Sequence, residues 1–589
     1  MDPSLNPQSV SIVLCGSGGA GVMTAGQMLL DAAAAAGLYG VMSRALGPQI
    51  RGGEAAALLR LANHPVEAPD DAFDVLLAVD WQNIERFAAE LPLRADSLVI
   101  GDPAAGELPA AILRAHPRRA EVALQALADE TGSRVNMVAL GLLAELIGLP
   151  AEAVYATLAA ALADKGEAVV ESGIRAALAG AQVVAALPAV PRLPAVAAAA
   201  NRPVRWSLSG NEASGLGALR GGVRFVAAYP ITPATEILEW LAPRLPPLGG
   251  CLVQAEDELA SVNMILGGAF GGVPSLTATS GPGLALMTES LGLGVASETP
   301  VVVCNVMRGG PSTGIPTKSE QSDLDIALHG LHGDAPHLVT AATGIADCAF
   351  TTQWTVQLAE ALQVPAIVLS DQAMGQSRAV VDALPDPGFR AVRLTAPAGV
   401  EGYQRYAVTE SGVSPMAVPG TPGGSFVADG LEHAPRGTPS TQAAHHREQL
   451  DKRHRKLEVH DYGEHWALLE GARDAETAVI CFGSLTAAAR EAVDRLNAAG
   501  TPVRLISLRL LAPALPLAFA AALRGVRHAL VVEQNHSRQF LGHLRSHYPL
   551  PVHTHGYHRP GPVAIRPGEI VAAVRSLLAP VEAPVTVED

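Results

Sequence analysis

The chain is 589 residues long, and 41 Lys and Arg against 57 Asp and Glu leave a formal net charge of −16. With 49% hydrophobic and 17% charged residues it can bury several cores, at roughly 150 residues per domain, which excludes an intrinsically disordered chain. The acidic balance, without an extended basic stripe, also excludes a general nucleic-acid binder, whose phosphate contacts need a cationic face.

Cys15, Cys251, Cys304, Cys348 and Cys481 stand too far apart for a zinc knuckle, an iron–sulfur run or a disulfide framework. Residues 1 to 9 are polar and lack the regions of a signal peptide. No apolar stretch reaches the ~20 residues of a membrane span without a charge, Pro or Gly. A soluble protein of the cytoplasm is expected, with no membrane partner.

Residues 10 to 15 form a buried-strand pattern that runs into Gly16-Ser17-Gly18-Gly19-Ala20-Gly21 and then an Ala- and Leu-rich helix, the entry of an α/β unit. Strands at 75 to 79 and 97 to 100, with helices near 108 to 130 and 136 to 180, complete a domain over 1 to 185. A Pro- and Ala-rich linker is expected at 186 to 205. Over 206 to 400, strands at 224 to 228, 250 to 254, 275 to 279, 301 to 306 and 366 to 369 alternate with helices at 211 to 220, after Pro233, at 258 to 270 and from 283. That alternation implies a parallel sheet covered on both faces. Residues 401 to 470 form an irregular connector that ends in a charged helix at 445 to 458. A last unit over 471 to 589 has strands at 478 to 482, 503 to 507 and 529 to 532 and a helix at 486 to 499. The fold class is α/β, with several doubly wound parallel-sheet domains.

The first glycine turn can seat a phosphate on free N–H groups at a helix N-terminus. Arg44 and Arg51-Gly52-Gly53 offer a matching cation, or are solvated loop charge. A dehydrogenase reading would need an acid ending the second strand to hold the ribose of NAD, where the sequence reads Leu38-Tyr39-Gly40-Val41-Met42-Ser43-Arg44. In the middle domain Tyr229-Pro230-Ile231-Thr232-Pro233 joins a strand to a helix at the edge where open α/β sheets bind ligands, with a helix cap as the plainer alternative. Glu256-Asp257-Glu258 stands at a second such junction, where first-turn acids also complement a helix dipole. Thr277-Ala278-Thr279-Ser280-Gly281-Pro282-Gly283 is a hydroxyl-rich strand end feeding a glycine turn. Arg308, in the Gly- and Pro-rich stretch 308 to 318, suits bidentate capture of a carboxylate.

Taken together, GNEASGLGA (210 to 218), YPITP (229 to 233), EDE (256 to 258), TATSGPG (277 to 283) and RGGPSTGIPT (308 to 317) resemble the alpha subunit of 2-oxoacid:ferredoxin oxidoreductases. Residues 10 to 21 with Arg51-Gly52-Gly53 resemble the gamma domain of that family, fused here at the N-terminus. Residues 531 to 537 resemble its transketolase-like C-terminal domain. The connector segments at 409 to 415, 432 to 433, 437 to 440 and 452 to 457 are most similar to the 2-oxoglutarate enzymes, which convert 2-oxoglutarate and CoA to succinyl-CoA and CO2 and reduce ferredoxin, reversibly. Pyruvate, branched-chain and aryl 2-oxoacids stay open as substrates, and a noncatalytic scaffold subunit is a rival of another class.

The resemblance implies thiamine diphosphate as cofactor, with 206 to 400 as a transketolase-like pyrimidine-binding domain. It implies that Glu258 is the acid that hydrogen-bonds the aminopyrimidine and is catalytic, and that Thr232 and Arg308 hold the 2-oxoacid. Tyr229, Pro230, Ser280 and Gly281 are implied to contact the cofactor. Gly16, Gly18, Gly19, Gly21, Arg51 and Asn535 are implied to help enclose CoA, the co-substrate. Two departures stand out. Ala20 occupies a position where a polar side chain is common, and no Gly-Asp-Gly followed by Asn-Asn is present to hold diphosphate and Mg²⁺, Gly333-Asp334-Ala335 being the nearest string. A beta subunit is therefore expected to bring Mg²⁺ and the [4Fe–4S] cluster in an alpha2beta2 heterotetramer, this chain holding no metal, with ferredoxin as electron acceptor.

Overall fold

The computed structural model describes residues 9–47, 53–194 and 204–579, and among these the named strands gather into three sheets. In the first, Ser9–Ser17 lies between Phe73–Ala78, to which it is parallel, and Glu54–Ala62, to which it is antiparallel. Leu93–Gly101 and Arg118–Glu121 continue the parallel side, and Tyr39–Leu46 continues the antiparallel side. Neither Tyr39–Leu46 nor Glu54–Ala62 is expected from the sequence. The latter reads EAAALLRLA, a composition that favours helix, but strand partners on both sides and burial of its side chains override that propensity.

This sheet does not end at the linker. Arg378–Asp382, from the middle of the chain, pairs with Tyr39–Leu46, with Arg378 opposite Met42, and Arg205–Ser209 pairs with it in turn. The first two units therefore share one eight-stranded sheet. The stretch 136 to 180, expected to be helical, holds three helices: Val135–Ile147, Ala151–Leu162 and Glu167–Gln182. The breaks fall at Gly148 and Gly166, both with positive φ. Glu167–Gln182 approaches Val135–Ile147 so closely that a Cβ on Gly141 would lie 1.9 Å from the Ala177 carbonyl oxygen. Extended to Ala186, it is the one described helix long and apolar enough to cross a membrane.

The second sheet runs in the order Leu510–Ala512, Leu338–Ala341, Ala366–Asp371, Val302–Met307, Ser275–Thr279, Phe225–Ala228 and Cys251–Gln254. Its strands are parallel except Leu510–Ala512, which the C-terminal unit lends to the edge. The third sheet is parallel across Arg504–Leu508, Thr477–Phe482, His528–Glu533 and His553–His558, with Ala467–Gly471 antiparallel at one edge. The connector helix Ala443–Glu458 is not simply a solvated charged face. Lys452 and Lys456 are buried and both pair with buried Glu298, Lys456 Nζ at 3.1 Å from Oε2 and 2.7 Å from the Gln363 carbonyl oxygen.

Candidate active site

Four strands of the second sheet deliver the middle-domain motifs to one edge, the carboxyl edge, because parallel strands all end on the same side. Phe225–Ala228 leads into Tyr229 to Pro233, Cys251–Gln254 into Glu256 to Glu258, Ser275–Thr279 into Ser280 to Gly283, and Val302–Met307 into Arg308.

The acid cluster separates by burial. Asp257 is the N-cap of helix Glu258–Phe270, its Oδ1 accepting from the Ala260 amide at 2.6 Å. Glu256 and Asp257 are exposed, while Glu258 is buried and makes no hydrogen bond or ion pair among the described residues. The capping role thus belongs to Asp257, which leaves the Glu258 carboxylate free for something else. It lies over the first turn of helix Gly281–Ala296, where a Cβ on Gly283 would come within 2.7 Å of Glu258 Cγ and 2.0 Å of Thr279 Oγ1. On the adjoining strands and at the start of that helix, Thr277 Oγ1, Ser280 Oγ and Asn305 Oδ1 are buried without partners. A buried carboxylate with free oxygens, an unpartnered hydroxyl at Ser280 and a glycine cradle fit the aminopyrimidine end of thiamine diphosphate. Gly281 lies in the same turn, Pro230 is half-buried, and Tyr229 is 41% exposed at the rim.

Arg308 is 6% exposed. Its Nη1 donates to the Thr232 carbonyl at 2.5 Å and its Nη2 to the Thr313 carbonyl at 2.9 Å, while Nε has no partner. It makes no ion pair among the described residues, and burial pushes its pKa below the ordinary arginine value, with Asp323 opposing. A buried cation without a counterion is costly to the fold and apt to take up an anion. Thr232 and Arg308 are thus brought together, through the Thr232 backbone; the Thr232 hydroxyl makes no hydrogen bond among the described residues. Buried Asn211 steadies this loop by donating to the Pro233 carbonyl at 2.9 Å.

Two residues beside the site escaped the sequence reading. Asn305 lies within a hydrophobic strand and Asp323 follows an irregular loop, so neither carries a local signal. Asn305 Nδ2 donates to Asp323 Oδ2 at 3.0 Å, and a Cβ on Gly281 would lie 2.4 Å from Asp323 Oδ1. Burial raises the Asp323 carboxyl to about 6, against the pull of Asn305 and Arg308.

The segment 317 to 321, just beyond Arg308, is held from both sides. Thr317 Oγ1 donates to the Gly47 carbonyl at 3.2 Å and Lys318 pairs with Glu90, both in the N-terminal unit. Gln321 exchanges bonds with the Gln534 backbone at 2.8 and 2.9 Å and donates to the Phe482 carbonyl at 2.9 Å, both in the C-terminal unit.

At the N-terminal glycine turn Gly16 is buried, Gly18 and Gly19 are exposed, and Gly21 is the N-cap of helix Val22–Ala35 with φ 80°. Asp80 Oδ2 accepts from the Ser17 amide at 2.9 Å and hydroxyl at 2.8 Å, so one amide of the turn already serves a carboxylate. Arg44 is not a solvated loop charge, because it pairs with Glu236 of the middle unit. Arg51 lies outside the described residues. Asn535 bonds to groups of the chain itself. It is fully buried, its Nδ2 donating to Glu533 at 2.8 Å and to the Gln321 carbonyl at 3.3 Å, and its Oδ1 accepting from the Arg538 and Gln539 amides.

Fold and site together define the pyrimidine-binding chain of a thiamine diphosphate enzyme. Residues 216–452 match the family model described as pyruvate flavodoxin/ferredoxin oxidoreductase, thiamine diphosphate-binding, and residues 11–183 match that of pyruvate ferredoxin/flavodoxin oxidoreductase. The chain is 28% identical to 2-oxoacid:ferredoxin oxidoreductase 2, subunit alpha, of Aeropyrum pernix, across 91% of this chain and 93% of that one. It is 34% identical to the 2-oxoglutarate synthase subunit KorA of Methanothermobacter marburgensis, across 57% of this chain and 89% of that one. Among solved structures it is similar to the 2-oxoglutarate:ferredoxin oxidoreductase of Magnetococcus marinus, with a TM-score of 0.89 and 35% identity over 97% of this chain and 100% of that one. That structure holds 2-oxoglutarate, coenzyme A and succinyl-CoA. The chain belongs to the 2-oxoacid:ferredoxin oxidoreductase family.

Proposed function

We propose that this chain, assembled with a beta subunit in the cytoplasm, carries out the oxidative decarboxylation of 2-oxoglutarate with CoA to succinyl-CoA and CO2, and its reverse. The likeness to the Magnetococcus marinus enzyme over nearly the whole of both chains carries this reading, and Arg308 supports it as a buried cation awaiting a carboxylate. In the net reaction the C1–C2 bond breaks, CO2 leaves, two electrons pass singly to ferredoxin, and the CoA sulfur bonds to C2 as its proton goes to solvent.

Thiamine diphosphate, when bound, supplies the nucleophilic carbon and the electron sink for decarboxylation. Glu258 holds a proton at its carboxyl oxygen for exchange with a ring nitrogen, which its burial and free oxygens permit. Arg308 pairs with the 2-oxoacid's carboxylate, and the Thr232 hydroxyl orients its carbonyl. Ser280 and Gly281 line the wall against the pyrimidine, with Tyr229 and Pro230 at the rim where the partner closes the site. Gly16, Gly18, Gly19 and Gly21 offer backbone to the CoA phosphates. Mg²⁺ and the [4Fe–4S] cluster belong to the beta subunit of an alpha2beta2 heterotetramer, in keeping with the dispersed cysteines of this chain.

The test is anaerobic reduction of a viologen dye by the co-purified subunits, dependent on both CoA and a 2-oxoacid. The expected ranking places 2-oxoglutarate above pyruvate in kcat/KM. Pyruvate ranking first would overturn the substrate, and inactivity with every 2-oxoacid would overturn the function.

A further inference from the structure

Asp323 stands where three features of the site meet. Its Oδ1 lies against the first turn of helix Gly281–Ala296, so closely that position 281 has no room for a side chain. Its Oδ2 accepts from Asn305 on the neighbouring strand. It also acts on Arg308, whose Nε is buried and unpartnered, without forming an ion pair with it. Glu258 is packed against the same helix turn, over Gly283. Two carboxyls, of Asp323 and Glu258, therefore pack against one glycine-rich turn, at Gly281 and at Gly283.

We propose that Asp323 is a positioning residue that sets how strongly Arg308 holds the substrate's carboxylate, sharing the arginine's charge when ionised and releasing it to the substrate when protonated. The inference rests on the reading of Arg308 as the carboxylate site. A second anion beside an ionised Asp323 would be repelled, and the arginine's positive charge would be divided between two claimants. Taking up one proton at an Asp323 carboxyl oxygen as the 2-oxoacid enters removes both penalties. Burial already raises this carboxyl to about 6, so the proton is available near neutral pH. The charged groups around it act in opposed directions. Arg308 and the Asn305 amide favour the ionised form. Glu320, whose own pKa is raised by burial and by Asp323 and opposed by His536, lies on the same segment.

The experiment uses the assembled holoenzyme and the 2-oxoacid with the highest kcat/KM. KM is expected to rise as pH increases from 5.5 to 8, approaching tenfold per unit at the alkaline end, with kcat little changed. Asp323→Asn should give a KM that is flat over this window. Asn305→Ala, which removes a hydrogen bond favouring the ionised form, should move the midpoint to higher pH, and serves if Asp323→Asn fails to assemble. Independently of turnover, calorimetric binding of the inert analogue with a methylene in place of the carbonyl, glutarate for 2-oxoglutarate, is run at pH 7 in two buffers of different protonation heat. It should show uptake of a fraction of a proton in the wild type and none in Asp323→Asn. A pH profile and proton count unchanged in Asp323→Asn, or a loss confined to kcat, would overturn the proposal. A holoenzyme that turns over no 2-oxoacid would instead overturn the functional reading on which it rests.

Discussion

Glu258 occupies the space that a side chain at position 283 would need, a Cβ there lying 2.7 Å from its Cγ and 2.8 Å from its Oε1. Gly283→Ala should therefore displace the carboxyl while favouring the helix locally by about 1 kcal/mol. Misplacement of a catalytic group on the scale of 1 Å costs about 10²-fold, so with the roles proposed for Glu258 and Arg308 kcat should fall by that order while KM for the 2-oxoacid changes little. A Gly283→Ala enzyme with wild-type kcat would show that Glu258 is not held by this contact.

Glu258→Gln keeps the shape and removes the acid. The expected loss in kcat is on the order of 10²- to 10⁴-fold. Glu256→Gln, two residues earlier and exposed, should lose less than about tenfold by the same reckoning. Equal losses, or loss of the partner subunit from Glu258→Gln on gel filtration, would favour a dipole or interface role for the cluster.

Arg308→Gln tests the carboxylate site. Losing the charged partner of a buried pair costs roughly 2–5 kcal/mol of binding, equivalent to a rise of about 30-fold or more in KM. Without substrate the same change removes a buried charge together with its hydrogen bonds to the Thr232 and Thr313 carbonyls, so KM and not the melting temperature is the reading that reports the carboxylate site. A lower melting temperature with unchanged KM would place Arg308 in the scaffold rather than the site.

His543 sets a pH dependence of stability. It is 5% exposed, and burial, with His547 and His329 nearby and the Leu511 backbone opposing, lowers its pKa from 6.5 to about 4. Between these values the unfolded chain binds a proton that the folded chain refuses. Stability therefore rises with pH across about 4 to 6.5, is fully present above it, and is lost on acidification, by about 3 kcal/mol in all. His543→Leu should flatten the melting curve over pH 4.5 to 7 relative to wild type. Parallel curves for the two proteins would remove this histidine from the account.

Much of the middle unit was legible because its strands and helices alternate cleanly. Helix Glu258–Phe270 and strand Ser275–Thr279 fall where periodicity places them, since each is bounded by turn residues. The N-terminal unit was less legible. Glu54–Ala62 carries helix-forming residues, and only its two strand neighbours decide its state. Arg205–Ser209 begins where a linker was expected to end, and its pairing partner lies more than 160 residues later in the chain. The site showed the same division. Glu258 and Arg308 are marked by motifs at strand ends, whereas Asp323 depends on the fold bringing residue 323 against residues 281 and 305.

The sheet shared by the first two units also constrains movement. Flexible junctions between units let one swing as a rigid body while its partner stays still. Here the ladder between Tyr39–Leu46 and Arg378–Asp382 crosses the junction as ordinary strand pairing, and rotation about it would tear that ladder open. The N-terminal unit is thus a fixed wall to the arginine-bearing loop, not a hinged cover, and exchange of a long co-substrate such as CoA has to be accommodated by turns at the sheet edges or by the partner subunit.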